Sequence, residues 1–416
     1  MPGDIRRRSR AIAGELLEGF RALVINGPRQ AGKSTLIQQI QAHRGPVVSL
    51  DDVAWLDLAR ADPVGFLDQL HPAAAIDEFQ RGGDSLLLAL KMALDNSSRR
   101  GQFLLAGSTR FLTMRSLSET LTGRIGLLDL LPLSAGEARG VDETFVERLF
   151  TDDGVISLAA ESLSRADYAD AIVTGGFPEM VLGPTSSRFR SSWTDAYVRT
   201  VTALTNVEQV AEVRRPELVS SLLRQVAARS SCELVVADLA RELAVDEGTV
   251  RAYLQILDTL YLTRLVPAWT SSHTNRSKRR SVGHILDSAL GCHLLGIDSS
   301  ELARFDSRWM GPLLESFVVG EVAKQISWAE RPTTLHHYRD RDQREVGIVL
   351  ERGQNVVGVE IKATSSPTSG HAKHLVYLRE RLGDRFRNGV VLHTGTHRLQ
   401  LGDRISAVPV STLWGT

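Results

Sequence analysis

Short apolar runs punctuate the first quarter of the chain. "ALVIN" (22–26), "VVSLDD" (47–52), "AAAIDEFQ" (73–80) and "QFLLAGS" (102–108) are too short for helices and apolar almost throughout. Runs of this kind predict strands buried on both faces of a parallel sheet. "TLIQQIQAH" after the first run has the spacing of a helix. Residues 160–210 predict helices, with a turn at Gly175–Gly176 and a helix stop at Phe177-Pro178. Residues 233–269 predict a helix, a turn near Ala244–Asp246, a second helix from Glu247 and a strand, the order of a winged helix. "REVGIVLE" (344–351) and "VVGVEIKA" (356–363) predict two strands joined by a turn at Gly353–Asn355. The expected organisation is an α/β core with a parallel sheet over 1–150, a helical lid and winged helix over 151–270, and a small α/β domain over 271–416.

Composition changes this picture little. The 416 residues exceed one ordinary core and agree with two or three domains. Lys plus Arg equals Asp plus Glu at 49 each, so net charge selects no partner. Two cysteines, Cys232 and Cys292, far apart in sequence, suggest neither a disulfide framework nor a zinc cluster and fit a reducing, cytoplasmic setting. No apolar run approaches the roughly 20 residues of a membrane span. Arg6, Arg7, Arg8 and Arg10 are expected to form a solvated helix face.

The sharpest motif follows the first strand. Gly27-Pro28-Arg29-Gln30-Ala31-Gly32-Lys33-Ser34, then Thr35 and a helix, is G-x-x-x-x-G-K-[ST] in strand–loop–helix context. Its glycines let backbone N–H groups turn toward a phosphate, and the helix N-terminus adds partial positive charge. Lys33 is expected to reach the β and γ phosphates of ATP, and Ser34 to hold Mg²⁺. The strand ending in Asp77-Glu78 supplies the second half: Asp77 to orient the Mg²⁺ shell, Glu78 to activate water. Asp51 and Asp52 either sense the nucleotide or cap a helix.

These stretches, with "LLLALKMALD", "FLLAGSTRFL", "LTGRIGLLDLLPLS", "GGFPE" (175–179), "AYVRT" (196–200) and "LLESFVVGEVAKQ" (313–325), resemble a family across nearly the whole chain. It comprises bacterial and archaeal AAA-plus ATPases whose C-terminal domain of unknown function is related to PD-(D/E)XK nucleases. The resemblance implies that Ser108, at the end of the third strand, contacts the γ-phosphate or attacking water. It also implies that Arg124 offers its charge to a neighbouring subunit's ATP in a homo-oligomer. The alternative for Arg124 is an intrachain salt bridge. One departure is Leu204-Thr205, where the family carries an Arg-Asp pair.

In the C-terminal domain the resemblance implies a helix acid, Glu315, a strand Asp, and the Glu360-x-Lys362 pair, gathering Mg²⁺ or Mn²⁺ through oxygen ligands. The strand position holds Gly347, which brings no ligand, so a degenerate nuclease-like site is expected, with Glu345 as partial substitute. The bland reading of Glu360 and Lys362 is a surface ion pair on an edge strand. His371 and His374 lack a third ligand and are expected at the surface. Thr249, Arg251 and Gln255 are the expected DNA contacts of the second helix, which could equally pack on another protein or on the ATPase core. The basic loop with Arg276, Lys278, Arg279 and Arg280 reads equally as a phosphate-contacting loop or as a solvated linker or wing tip. Three readings stand: an ATPase moving DNA or a partner, an ATP-regulated nuclease, and a slow nucleotide switch.

Overall fold

The computed structural model describes residues 5–70, 72–107, 121, 123–203, 215, 217–271 and 279–415. It divides into two compact units.

The first unit is built on the five apolar strands β1 (Ala22–Asn26), β2 (Val47–Ser49), β3 (Ala74–Asp77), β4 (Phe103–Gly107) and β5 (Ile125–Asp129). They pair in parallel in the order β2-β3-β4-β1-β5. Alternation along β1 sends Leu23 and Ile25 to one face, against Leu36 and Ile37 of the Lys33–Gln41 helix. Ala22 and Val24 go to the other, among Phe66, Leu86 and Leu90. With both faces covered, β1, β3 and β4 can be apolar without interruption. Asp52 caps the Val53–Ala61 helix by accepting from the Ala54 N–H at 2.8 Å, which decides that residue in favour of the cap.

The second unit begins at Leu133. Its middle portion runs Glu217–Ala228 helix, β6 (Cys232–Glu233), Val236–Leu243 helix, Glu247–Thr259 helix, β7 (Thr263–Val266) and β8 (Val282–Ile285). Ala244 takes a left-handed conformation at φ 51° in the expected turn. The three strands pair antiparallel in the order β6-β8-β7. A six-stranded mixed sheet follows, built from β9 (Thr334–Arg339), β10 (Glu345–Arg352), β11 (Asn355–Lys362), β12 (Phe386–His393), β13 (Leu399–Gly402) and β14 (Ile405–Pro409). Its order is β13-β14-β12-β11-β10-β9. β10 and β11 form the expected hairpin, with Gly353 at φ 60° in its turn.

Two expectations about organisation need correction. The first unit's main segment ends at Pro132, not at 150. Phe145, Leu149, Tyr168 and Ile172 share one core with the buried face of the Met310–Ser327 helix and with β10–β12. The boundary expected at 270 falls inside a compact unit, because a segment of the second unit runs from Leu262 through to Thr416.

Candidate functional site

The loop between β1 and the Lys33–Gln41 helix is wrapped tightly by its own sequence. Gly32, the residue before the helix, sits at φ 93° and ψ 22°, where a side chain is strained. A Cβ at Gly27 would lie 2.2 Å from the Leu130 carbonyl oxygen, so only glycine lets this strand end approach the segment after β5. Lys33 is buried and donates from Nζ to the Gly27 and Pro28 carbonyls at 3.0 and 2.8 Å. Burial draws its pKa down to about 8, with Arg29 adding to the fall and the carboxylates of Glu78 and Asp77 opposing it.

Asp77 ends β3, two positions from β1 in the sheet, and is buried. Ser34 donates its hydroxyl to Asp77 Oδ2 at 2.5 Å, and Asp77 Oδ1 accepts from the Glu78 N–H at 3.0 Å. A loop hydroxyl and a carboxylate, both hard oxygen donors, therefore meet in the pairing Mg²⁺ favours. Glu78 sits at φ 50°, turning the chain sharply off the strand, and its carboxylate accepts from the Gln80 side-chain amide. Gln80 was not singled out by the sequence; its only signal is position, two residues past the acid.

Among the other expected residues, Ser108 lies outside the described residues. Arg124 forms a forked ion pair with Asp95, Nε to Oδ1 at 2.5 Å and Nη2 to Oδ2 at 3.1 Å. Asp51 pairs with Arg81. Arg7 is not part of a solvated face: it is 7% exposed, and its guanidinium is turned into the fold. Being the residue before the Arg8–Gly19 helix, with extended backbone, it escapes that helix's face pattern.

In the C-terminal sheet, Glu360 is buried on an interior strand and accepts from Lys362 Nζ at 3.1 Å, so it is not part of a surface pair on an edge. Glu315 lies on the Met310–Ser327 helix. Burial raises it to about 8, and the like charges of Glu345 and Glu360 add to the rise against Lys362. Burial likewise raises Glu360 to about 7, opposed by Lys362. The register of β10 against β9 slips between Val346 and Val349, a bulge beside Gly347. A Cβ at Gly347 would stand 3.3 Å from Glu315 Oε1 and 3.5 Å from Ile361 Cδ1. Val357, Val359 and Ile361 face the Met310–Ser327 helix, whereas Val356 belongs to the core on the opposite side and a Cβ at Gly358 would meet Leu375. Alternation along β11 places Glu360 and Lys362 on that second side. Glu345, Glu360 and Lys362 all act electrostatically on Glu315, and no group of three or more His, Cys, Asp or Glu placed to hold a metal occurs among the described residues.

In the middle portion, Thr249 is bonded to Asp246 through both its N–H and its hydroxyl, and Arg251 pairs with Glu247. Of the basic loop, residues 276–278 lie outside the described residues; Arg279 donates to the Arg339 carbonyl at 2.6 Å.

A buried polar network adjoins the start of the second unit. Lys324 donates to the Leu133 carbonyl at 2.9 Å and to Glu321 Oε1 at 2.6 Å. Glu321 Oε2 accepts from the Ala135 N–H at 2.7 Å. Ser134 donates to Glu143, whose pKa burial raises to about 8 with help from the charge of Glu321. Asp287 accepts from the Gly176 N–H at 2.8 Å, which anchors the glycine turn.

Comparison with known proteins matches three stretches of the chain. Residues 19–139 match the family described as "AAA domain", 165–301 a domain of unknown function (DUF8612), and 310–413 another (DUF4143). An uncharacterized protein of Mycobacterium tuberculosis, and one of Mycobacterium bovis, are each 28% identical over 414 residues, covering 99% of this chain and 85% of theirs. The solved Walker-type ATPase of Pyrococcus abyssi overlaps 70% of this chain and 96% of its own at 15% identity, with a TM-score of 0.44. Residues 19–139 are thus similar to an AAA domain and carry the strand–loop–helix geometry of a P-loop. No helix among the described residues is long and apolar enough to cross a membrane.

Proposed function

We propose that this chain is a Mg²⁺-dependent ATPase. The observation that carries the reading is the Ser34–Asp77 hydrogen bond, which joins the phosphate loop to the acid at the end of β3. Mg²⁺, when bound there, would neutralise the phosphate charge that develops during transfer. Ser34 and Asp77 would hold it, and Lys33 would exchange its loop carbonyls for phosphate oxygens. Glu78 would accept the proton of the attacking water, with Gln80 fixing its carboxylate beforehand. Ser108 keeps its proposed place at the γ-phosphate. Arg124 would have to release Asp95 to serve a neighbouring copy.

Turnover is proposed to act on DNA or a partner protein through the middle portion. Its helix–strand–helix–helix–strand–strand order is that of a winged helix, a supporting pattern for this reading. The C-terminal sheet is proposed to be nuclease-like in shape and degenerate in chemistry. The reading rests on Gly347, which brings no ligand to the strand position, and on the lack of a metal-holding group of His, Cys, Asp or Glu among the described residues. ATP-controlled cutting, the second reading, is favoured by the acid cluster that raises Glu315.

Phosphate release by purified full-length protein with Mg²⁺ tests the first reading. Lys33→Ala should lose nucleotide binding. Glu78→Gln should keep binding and lose hydrolysis by about 10²-fold or more; normal turnover in Glu78→Gln would displace that residue as the base. A gel assay of single- and double-stranded DNA with Mg²⁺ or Mn²⁺ separates the readings. Cleavage by wild type that disappears in Glu360→Ala would establish the nuclease.

A further inference from the structure

We propose that Arg7 is a positioning residue of the nucleotide site, one that sets the direction of the Gly32 N–H; the inference rests on reading the loop as an ATP site. Arg7 Nη1 donates to the Ala31 carbonyl at 3.0 Å and Nη2 to the Leu131 carbonyl at 2.6 Å. Ala31 is wholly buried at the crown of the loop. A peptide unit is planar and trans, so the Ala31 C=O and the Gly32 N–H point in opposite directions. Whatever holds the carbonyl therefore aims the amide. That choice is open at this position. Gly32, at φ 93°, has no Cβ to favour one orientation of the preceding peptide over its flip.

Arg7 closes the choice with a charge-assisted bond, roughly twice as strong as a neutral one. Its other arm ties the same guanidinium to Leu131, whose neighbour Leu130 presses its carbonyl against Gly27 at the loop's other end. The segment after β5 thus braces both ends of the loop, Gly27 directly and Ala31 through Arg7. A planar fork serves two separate carbonyls in a way a lysine ammonium cannot reproduce in full.

The test is titration of Mg-ADP and Mg-ATP into full-length wild type, Arg7→Ala, Arg7→Lys and Lys33→Ala, with steady-state hydrolysis and melting alongside. Arg7→Ala should weaken both nucleotides about tenfold, which is about 1.4 kcal/mol. KM should rise by a similar factor while kcat stays within about threefold of wild type. Low-millimolar guanidinium ion should restore affinity to Arg7→Ala and leave wild type and Lys33→Ala unchanged. Arg7→Lys should weaken binding severalfold, and it carries the test alone where Arg7→Ala does not fold. Wild-type affinity in either folded variant overturns the proposal. So does a loss that guanidinium does not rescue and that lowers kcat as much as affinity, the mark of general loosening. Failure of wild type to bind either nucleotide in the same titration overturns the ATPase reading itself, and this inference with it.

Discussion

Glu315 is held neutral by its surroundings at pH values where a free glutamate is charged. Its ordinary value near 4.5 rises to about 8, burial first, then Glu345 and Glu360. A folded-state pKa above the unfolded one means that the fold binds the extra proton. The stability it contributes is present below about pH 4.5 and is lost as pH rises through about 8. Glu315→Gln should therefore melt with wild type near pH 5 and above it at pH 9. An equal gap at both pH values in a thermal-melt series would show that Glu315 is not the titrating group. The motif residues Gly27, Gly32, Lys33, Ser34 and Asp77 were legible because backbone wrapping around a phosphate admits few residue types at each place. Arg7 was not legible. Four arginines in five positions look like a wet surface, and nothing in their order says which one turns inward. Glu315 and Glu360 were reached through the family resemblance, but the burial that raises them was not legible, since β11's alternation can be read and the depth of its covering cannot.

At the scale of elements, the loop's geometry depends on what lies behind it. Gly27→Ala sets a methyl 2.2 Å from the Leu130 carbonyl, so the loop or the segment after β5 must shift. The variant should melt lower and bind Mg-ATP at least about tenfold more weakly, as read by calorimetry. In the second unit, Lys324→Met removes the cation between the Leu133 carbonyl and Glu321 and leaves a buried carboxylate without it. Breaking such a pair costs about 3–5 kcal/mol. Glu321→Gln combined with Lys324→Met should recover part of that loss in denaturant unfolding, because the stranded charge is gone. Helices at 236–243 and 247–259 and the β10–β11 hairpin stood where periodicity and turn residues put them. The boundary at Pro132 could not be read. Residues 145–172 have an unremarkable apolar pattern, and only the fold reveals that their partner is a helix some 150 positions later.

For the whole molecule, the open matter is assembly. If copies associate and Arg124 crosses to a neighbour's nucleotide, turnover per chain should climb with protein concentration in wild type and stay flat in Arg124→Ala. A flat wild-type profile in that dilution series assigns Arg124 to its bond with Asp95. An exposed pair of that kind contributes little to stability, so the variant should fold normally either way. Both units have cores of their own, yet the path of the chain between them is not a single step. It leaves the first unit after Pro132 and comes back to it for Thr259–Tyr261, where Tyr261 is fully buried and its hydroxyl donates to Asp129 at the end of β5 at 2.8 Å. A gene cut at Pro132 would encode all five strands of the nucleotide-site sheet and still omit part of that unit's interior. Fission into two separately inherited pieces would leave that returning tyrosine with the wrong piece, and fusion of the front half to a new back half would have to bring its own.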